Sequence, residues 1–572
     1  MSDADFLQSP PSLSSQYAAD PLLRSHLRRT VDPDALAAIE PSLARMGELA
    51  AGRLLDLAHE HRREEPVHVP YDAWGRRIDE VRVNPAWRTY ARVAAEEGLI
   101  ATAYERANGR FSRVHQFALA YLFHPSSQVY TCPLAMTDGC ARTLEVLGAG
   151  LGPLRDRVFA HLTSRDPETA WTSGQWMTER IGGSDVGLSE TVARRDAAGG
   201  FRLHGTKWFT SAVTSQVALT LARPEGNGPG GKGLALFLVE LRDTNGRLQG
   251  ITVLRLKEKL GTKNLPTAEL RLDGTPAFAV AGLADGVRNM AHMLNLTRTW
   301  NAVSAAATLR RGIALARDFA RRRVAFGAPL SEKPLHLETL ADLAAEQEAS
   351  FLFTFFAVEL LGRQEAGELD ARGESLLRLV QPLAKLTTGR QCVAGASEVL
   401  EAFGGAGYVE DTGLPELLRD GQVLAIWEGT TNVLALEAYR AVMRADALPV
   451  VLEEIRRRAE GVSHPLLREA AGKALRAADH VDSWWADAGE RGAWLHEATA
   501  RHFALTLGRT LALALLVEHA DWSLTHERDA RAAEAACRFA RLGVDRLADV
   551  PRPPEATTSL ALGEALDPKS LE

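Results

Sequence analysis

The stretch Trp176-Met-Thr-Glu-Arg-Ile-Gly-Gly-Ser-Asp-Val-Gly187 decides how the rest of this 572-residue chain reads. Gly182 and Gly183 ahead of Ser184 place bare N–H groups and a hydroxyl on a loop that a phosphate or ring oxygen can approach closely. Taken alone, such a run is an ordinary turn. Just downstream lies Gly205-Thr-Lys-Trp-Phe-Thr-Ser211, where period-2 alternation puts Trp208 and Thr210 on one strand face. That pair can stack on and hydrogen-bond a planar ring, and it equally suits a core aromatic beside a threonine.

Outward from this stretch the texture is β. Phe201-Arg-Leu-His204, Val217–Ala222, Leu234–Val239 and Ala268–Leu272 are short apolar runs separated by Gly, Asp and Asn. They predict a β domain over 170–284, an antiparallel barrel or sandwich. The loop Gly226-Asn-Gly-Pro-Gly-Gly-Lys-Gly233 lacks the Ser/Thr after its Lys that a phosphate-binding P-loop needs, and is read as a β–β connection. Before the β domain, apolar residues recur every three to four positions over 34–169, a helical domain. The Ser-, Pro- and Asp-rich residues 1–33 read as an extended arm.

After the β domain, long helical segments near 287–322, 334–363, 373–403 and 431–443 predict an antiparallel four-helix bundle over 285–442. A further Ala/Leu-rich helical block fills 443–572, with Pro551-Arg-Pro-Pro554 ending the regular pattern. The fold class is therefore mostly α with a central β domain.

Hydrophobic residues at 46% and charged residues at 24% exclude fibrous and disordered classes. The formal charge of −7 builds in no general attraction to nucleic acid or anionic lipid. Cys132, Cys140, Cys392 and Cys537 show no disulfide or zinc spacing, so a reducing cytoplasm and no metal are expected. The N-terminus has no secretory pattern, the C-terminal Lys569-Ser-Leu-Glu572 is no peroxisomal address, and the best apolar run, Leu511–Val517, is too short to span a bilayer.

Three more segments carry chemistry. Arg321-Arg-Arg-Val-Ala-Phe-Gly327 ends a helix, as a cationic C-terminus or as a fork for pyrophosphate. Glu401-Ala-Phe-Gly-Gly-Ala-Gly-Tyr408 sets three glycines after a helix, as a cap or a place of close approach. In Ile426-Trp-Glu-Gly-Thr-Thr-Asn432, the apolar flank of Glu428 is the environment that turns a carboxylate into a usable base.

Together and in this order, these segments resemble the acyl-CoA dehydrogenases, which carry a Thr-Glu-x-x-x-Gly-Ser-Asp loop, a Lys-x-Trp-Ile/Phe-Thr strand, an Arg-x-x-Phe-Gly helix end, a Gly-Gly-x-Gly turn and a Tyr/Trp-Glu-Gly-Thr segment. Here they are Thr178–Asp185, Lys207–Thr210, Arg323–Gly327, Gly404–Gly407 and Trp427–Thr430, within a match over about 85–440. Tyr71–Arg82 with Pro85-Ala-Trp87, Cys132–Thr137, Arg255–Gly261 and Ile426–Gly429 resemble the AidB-like branch, which adds a C-terminal helical domain.

The resemblance implies FAD and α,β-dehydrogenation of an acyl-CoA, with Glu428 as base and the flavin N5 as hydride acceptor. It implies flavin contacts at Met177, Thr178, Gly183, Ser184, Trp208 and Thr210, and substrate contacts at Ser184, Arg298 and Gly429. Thr297-Arg298 stands where some relatives carry the base instead, which leaves Glu428 as the matched candidate. Arg323, Phe326, Gly404 and Gly405 would reach the FAD of a neighbouring subunit, and Thr430 and Asn432 the adenosine side. A homotetramer, a dimer of dimers, and an electron-transfer flavoprotein or similar acceptor follow by the same route. Pro334 and Glu401 replace glutamines common in the family and weaken single adenosine contacts.

Alternatives are an acyl-CoA sensor with negligible turnover and a DNA-associated flavoprotein of the alkylation response. Residues 443–572 hold 17 Lys+Arg against 21 Asp+Glu, which disfavours DNA. Arg456-Arg-Arg458 is their one basic cluster.

Overall fold

The computed structural model describes residues 9–197, 199–445, 447–488, 493–548 and 553–568. The first layer holds helices α1 (Pro21–Thr30), α2 (Pro33–Ala51) and α3 (Arg53–Glu60) and a hairpin, β1 (Val67–Tyr71) with β2 (Arg77–Arg82). Helices α4 (Pro85–Glu96), α5 (Ala101–Glu105), α6 (Ser112–Phe123), α7 (Thr131–Leu147) and α8 (Pro153–Leu162) complete it.

One expectation fails here. The arm over 1–33 is not extended throughout. Asp20 caps α1 by accepting the Leu23 N–H at 2.9 Å, Pro21 presets the first turn, and Leu22, Leu23 and Leu27 are buried. A short capped amphipathic helix was masked by the polar composition around it. The Tyr71–Arg82 segment, noted above only as a mark of the branch, is part of the hairpin. Buried Asp79 accepts from Arg77 at 2.8 Å and from the Val253 N–H at 3.2 Å, pinning the hairpin to the β region.

The β region is one seven-stranded sheet: β3 (Ser173–Trp176), β4 (Val192–Arg195), β5 (Phe201–Ser211), β6 (Val217–Pro224), β7 (Ala235–Glu240), β8 (Ile251–Leu256) and β9 (Thr267–Ala279). It is not wholly antiparallel. Both β3 and β4 run parallel to β6, β3 beside Val217–Thr220 and β4 beside Arg223–Pro224. Residues 177–191 are thus an excursion that leaves one edge of β6 and returns further along it. Trp176, Leu203, Phe237 and Leu270 fill the interior.

After α9 (Gly286–Asn289) come three long helices, α10 (Ala291–Arg322), α11 (Pro334–Glu365) and α12 (Ala371–Ala402), then α13 (Pro415–Val423) and α14 (Thr431–Ala445). Pro334 opens α11, and Asp370 caps α12 through the Gly373 N–H at 2.8 Å. Helices α10 and α12 run parallel, since Leu309 packs at Gly395 and Phe319 lies 4.6 Å from Phe403 between ring centroids. One end of the bundle therefore carries both Arg298 and Lys385, and the other carries Arg323 and Gly404.

The last block is α15 (Ala447–Glu460), α16 (Arg468–Ala488), α17 (Ala493–His526), α18 (Arg531–Arg541) and α19 (Pro554–Leu562). Pro554 begins a helix rather than closing the pattern, while 549–552 and 569–572 lie outside the described residues. Over 497–526, α17 has the length and hydropathy to cross a membrane, contrary to the sequence reading, yet 89% of its apolar window is buried inside the fold. Its Leu507, Leu511 and Leu515 belong to the same core cluster as Leu23, Phe351 and Leu383, so the block shares one continuous core with the bundle and α1.

Candidate active site

Glu428 sits on the turn between α13 and α14, half-buried, at φ +57°, and Gly429 follows at φ +106°. A left-handed angle at a glutamate is uncommon and needs support from its surroundings. Two cations supply it. Arg298 donates from Nε to the Glu428 carbonyl at 3.2 Å while Glu437 grips its other two nitrogens at 2.6 and 2.8 Å. Lys385 donates from Nζ to the Gly429 carbonyl at 2.6 Å. The turn is also tied to α10 through Trp427 Nε1, which donates to Asn301, and Asn301, which donates to the Leu424 carbonyl at 2.9 Å.

The carboxylate is less apolar in its surroundings than its sequence neighbours suggest. Thr297 donates its hydroxyl to Glu428 Oε2 at 2.6 Å, and Gln175 Nε2 lies at 3.5 Å. Burial brings the Lys385 ammonium down to about 7, with the nearby Glu428 opposing and Arg298 adding to the shift. Cys132, also near Glu428, has its thiol pushed up to about 12 by burial.

Gln175 lies on β3, the strand that leads into the 177–191 excursion. At the base of that excursion Lys207 and Glu179 form a buried pair at 2.7 Å. Lys207 also donates to the Leu221 carbonyl at 2.8 Å, and Glu179 accepts from the Thr191 hydroxyl at 2.6 Å and the Glu190 N–H at 2.7 Å. Burial pushes the Glu179 carboxyl up, and the Lys207 ammonium with the Thr191 hydroxyl more than offsets that, holding it below the usual range.

Above this anchor Gly182 takes φ +135°, and a Cβ on Gly183 would meet Thr178 Oγ1 at 2.5 Å. Ser184 is exposed, and neither its hydroxyl nor the N–H groups of Gly183 and Ser184 make a hydrogen bond among the described residues. Half-exposed Trp208 stands beside the loop, its N–H bonded to the Thr178 carbonyl at 3.0 Å and the Lys257 ammonium 3.5 Å from its ring centroid. Unspent donors next to an aromatic face suit an oxygen-rich planar cofactor such as FAD, so the residues present fit that group.

Thr210 does not share the Trp208 face. The register between β5 and β9 shifts between Lys207 and Thr210, a bulge that turns Lys207 and Thr210 inward together. The Thr210 hydroxyl donates to the Ala268 carbonyl at 2.7 Å inside the sheet. Simple alternation cannot foresee an extra residue in a strand. Arg298, expected at substrate, has its guanidinium nitrogens committed to Glu437 and Glu428, which makes it an orienting group. Met177 lies half-buried against the core beside Gln175.

Other expected residues lie apart from Glu428. Along α10, 25 residues separate Arg298 from Arg323, about 37 Å of helix. Arg323, Phe326, Gly404 and Gly405 are all exposed at that far end, Phe326 at 98%. They cannot serve the same flavin as Glu428 of their own chain. Thr430 is exposed at the start of α14, and the Asn432 side-chain Oδ1 accepts from Arg501 of α17 at 2.9 Å.

Sequence reasoning missed Gln175, Lys385 and Glu437. Lys385 did leave a signal, a lone cation in the apolar run Leu383-Ala-Lys-Leu386. The Arg456-Arg-Arg458 cluster is neutralised: Arg456 pairs with Asp479 and Asp482 at 3.0 and 2.8 Å, Arg457 with Glu454 at 3.0 Å, and Arg458 with Glu454 and Glu518.

Comparison with known proteins bears on all four regions. Residues 8–165 match the adaptive response protein AidB N-terminal domain, 174–275 the acyl-CoA dehydrogenase middle domain, 284–443 the acyl-CoA dehydrogenase C-terminal domain, and 446–546 the acyl-CoA dehydrogenase 11 C-terminal domain-like family. Acyl-CoA dehydrogenase family member 11 of Caenorhabditis elegans is 41% identical over 93% of this chain and 88% of its own length. The putative acyl-CoA dehydrogenase AidB of Escherichia coli is 30% identical over 78% and 81%. The crystal structure of Caenorhabditis elegans ACDH-11 in complex with C11-CoA superposes with a TM-score of 0.92 at 40% identity, covering 95% of this chain and 94% of that one.

Proposed function

Because this chain belongs to the acyl-CoA dehydrogenase family, on its AidB-like branch, we propose that it is an FAD-dependent enzyme that converts an acyl-CoA thioester to the trans-2-enoyl-CoA with Glu428 as the base. The observation that carries this reading is the clamped turn. A carboxylate with one hydroxyl partner sits on a turn fixed in a left-handed conformation by Arg298 and Lys385, and it lies 3.5 Å from Nε2 of Gln175, on the strand that leads into the unspent donors of Gly183 and Ser184.

FAD, when bound, supplies the hydride acceptor. The chain's own residues do the rest. Glu428 takes the proton from Cα of the acyl group. Thr297, donating to Oε2, orients the carboxylate and leaves Oε1 for the substrate. The Glu428 N–H is the donor for the thioester oxygen, whose negative charge grows as the proton leaves. The Thr178–Ser184 loop and Trp208 hold the flavin.

Arg323, Phe326, Gly404 and Gly405, too remote for their own chain's flavin, support an assembly in which they serve a neighbour's, with a homotetramer as the form proposed. Exposed Phe326, Leu335 and Tyr408 at that end give it apolar surface to bury. A cytoplasmic setting agrees with four free cysteines, and an electron-transfer flavoprotein is the proposed acceptor. The neutralised arginines of α15 and the acidic balance of 443–572 weigh against a DNA role.

Anaerobic mixing of the flavin-loaded protein with acyl-CoAs of graded length tests the reading. Loss of the oxidised flavin band is expected, and Glu428→Gln should keep FAD and abolish that loss. Spectral perturbation without reduction in the unaltered protein would make it an acyl-CoA binder instead. Reduction surviving in Glu428→Gln would move the base elsewhere.

A further inference from the structure

At the end of the bundle remote from Glu428, helices α10, α11 and α18 with Ser331 line a pocket of about 330 Å3 open to solvent, within the size range of small-ligand sites. One wall is small and apolar: Ala320, Leu340, Ala341, Ala344 and Ala535. The charged lining is unusual for this chain. Elsewhere Arg113 is matched to Asp138 and Glu365 and Arg509 to Glu346, and on the cavity's own rim Arg538 is matched to Glu338, Asp342 and Glu534.

Arg317 and Arg321 from α10 make no hydrogen bond or ion pair among the described residues. Arg531 from α18 approaches carboxylates only at 3.7 Å, Glu348 and Asp529. Three guanidinium groups facing one partly apolar cavity repel one another, and an oxyanion seated among them removes that cost. A second feature points the same way. Glu348 lines the cavity, is 4% exposed, and its Oε2 has no hydrogen-bond partner, a costly state for a buried polar atom.

We propose that this cavity binds a small organic anion, with its carboxylate or phosphate head on Arg317, Arg321 and Arg531, its compact apolar body on the alanine wall, and a donor group against Glu348. The site shares no residue with the Glu428 turn or the 177–191 loop. It is built jointly by the bundle and the C-terminal block, so its occupant braces α18 against α10 and α11.

Burial pushes the Glu348 carboxyl up to about 7, with Arg531 of α18 and Arg317 of α10 pulling down and Asp20, before α1, and Asp529, before α18, pushing up. A neutral Glu348 does not repel an anion and a carboxylate does. Affinity for a carboxylate, whose own charge is constant in this range, therefore falls as pH rises through about 7, whereas a phosphate head gains charge over the same range.

Calorimetric titration of the flavin-loaded protein with inorganic phosphate, 6-hydroxyhexanoate and 6-hydroxyhexyl phosphate, at about pH 6 and about pH 8, tests this. The hydroxy acid or its phosphate counterpart is expected to bind at one saturable site, more tightly than inorganic phosphate, and the tighter of the two identifies the head group. Arg317→Ala and Arg531→Ala should each weaken that binding at least about tenfold, with flavin content and reduction by acyl-CoA unchanged. Glu348→Gln should retain binding and lose its pH dependence. Should Arg531→Ala fail to fold, Arg531→Gln at the same exposed position carries the same test. No organic anion binding above inorganic phosphate, or binding indifferent to the arginine variants, overturns the proposal.

Discussion

Glu428 and Gly429 hold successive left-handed angles because two buried cations take their carbonyls, and the cations themselves are held at a cost. Lys385 is 0% exposed, and its ammonium donates to the Gly429 carbonyl. Taking an ammonium out of water costs several kcal/mol, which a single carbonyl and a neighbouring carboxylate only partly offset. Its folded pKa, about 7, lies below the ordinary 10.5, so between those values the unfolded chain binds the proton and the folded one does not. Stability therefore rises with pH from about 7 to about 10.5, by up to about 1.4 kcal/mol per unit. Thermal melts should show that gain in the unaltered protein and lack it in Lys385→Met. An equal slope in both would remove Lys385 from this role.

The 177–191 excursion is the element that turns a sheet edge into a binding loop. At its base it is held by the buried Glu179–Lys207 pair, which ties the loop's start to β5 and, through the Leu221 carbonyl, to β6. Removing one partner of a buried pair leaves an uncompensated charge and typically costs about 3–5 kcal/mol. Lys207→Met should lower the melting temperature and release FAD. Glu179→Gln with Lys207→Met together should recover much of the stability, because no unpaired charge remains. A double variant as unstable as the single one would show that packing, not charge, fixes the loop.

At the scale of the whole molecule, the N-terminal segment is a strap rather than a free arm. Arg310 of α10, 8% exposed, reaches Asp20 at 2.9 Å and Gln16 at 2.5 Å, while Leu23 and Leu27 of α1 enter the core shared with α17. Deleting residues 1–31 would strand a buried guanidinium and uncover apolar surface on α11 and α17. The shortened chain is expected to lose cooperative unfolding and to aggregate, as read by calorimetry and light scattering. A soluble variant with an unchanged melting transition would make the strap dispensable.

Periodicity located the long helices because each buries a continuous stripe that a one-dimensional pattern records: α10, α11 and α12 lie close to the segments their spacing predicts. The local motifs likewise specified where glycines permit close approach and which carboxylate stands in a tight turn. What the pattern could not hold was any relation made by distant residues. The bulge that turns Thr210 inward, the spending of Arg298 on Glu437, the orienting hydroxyl of Thr297 and the burial of α17 all arise where separate elements meet. Two residues far apart in the chain leave no joint signature in a single sequence, so its residues determined the family of folds and the identity of Glu428, and only tertiary packing decided which groups reach it.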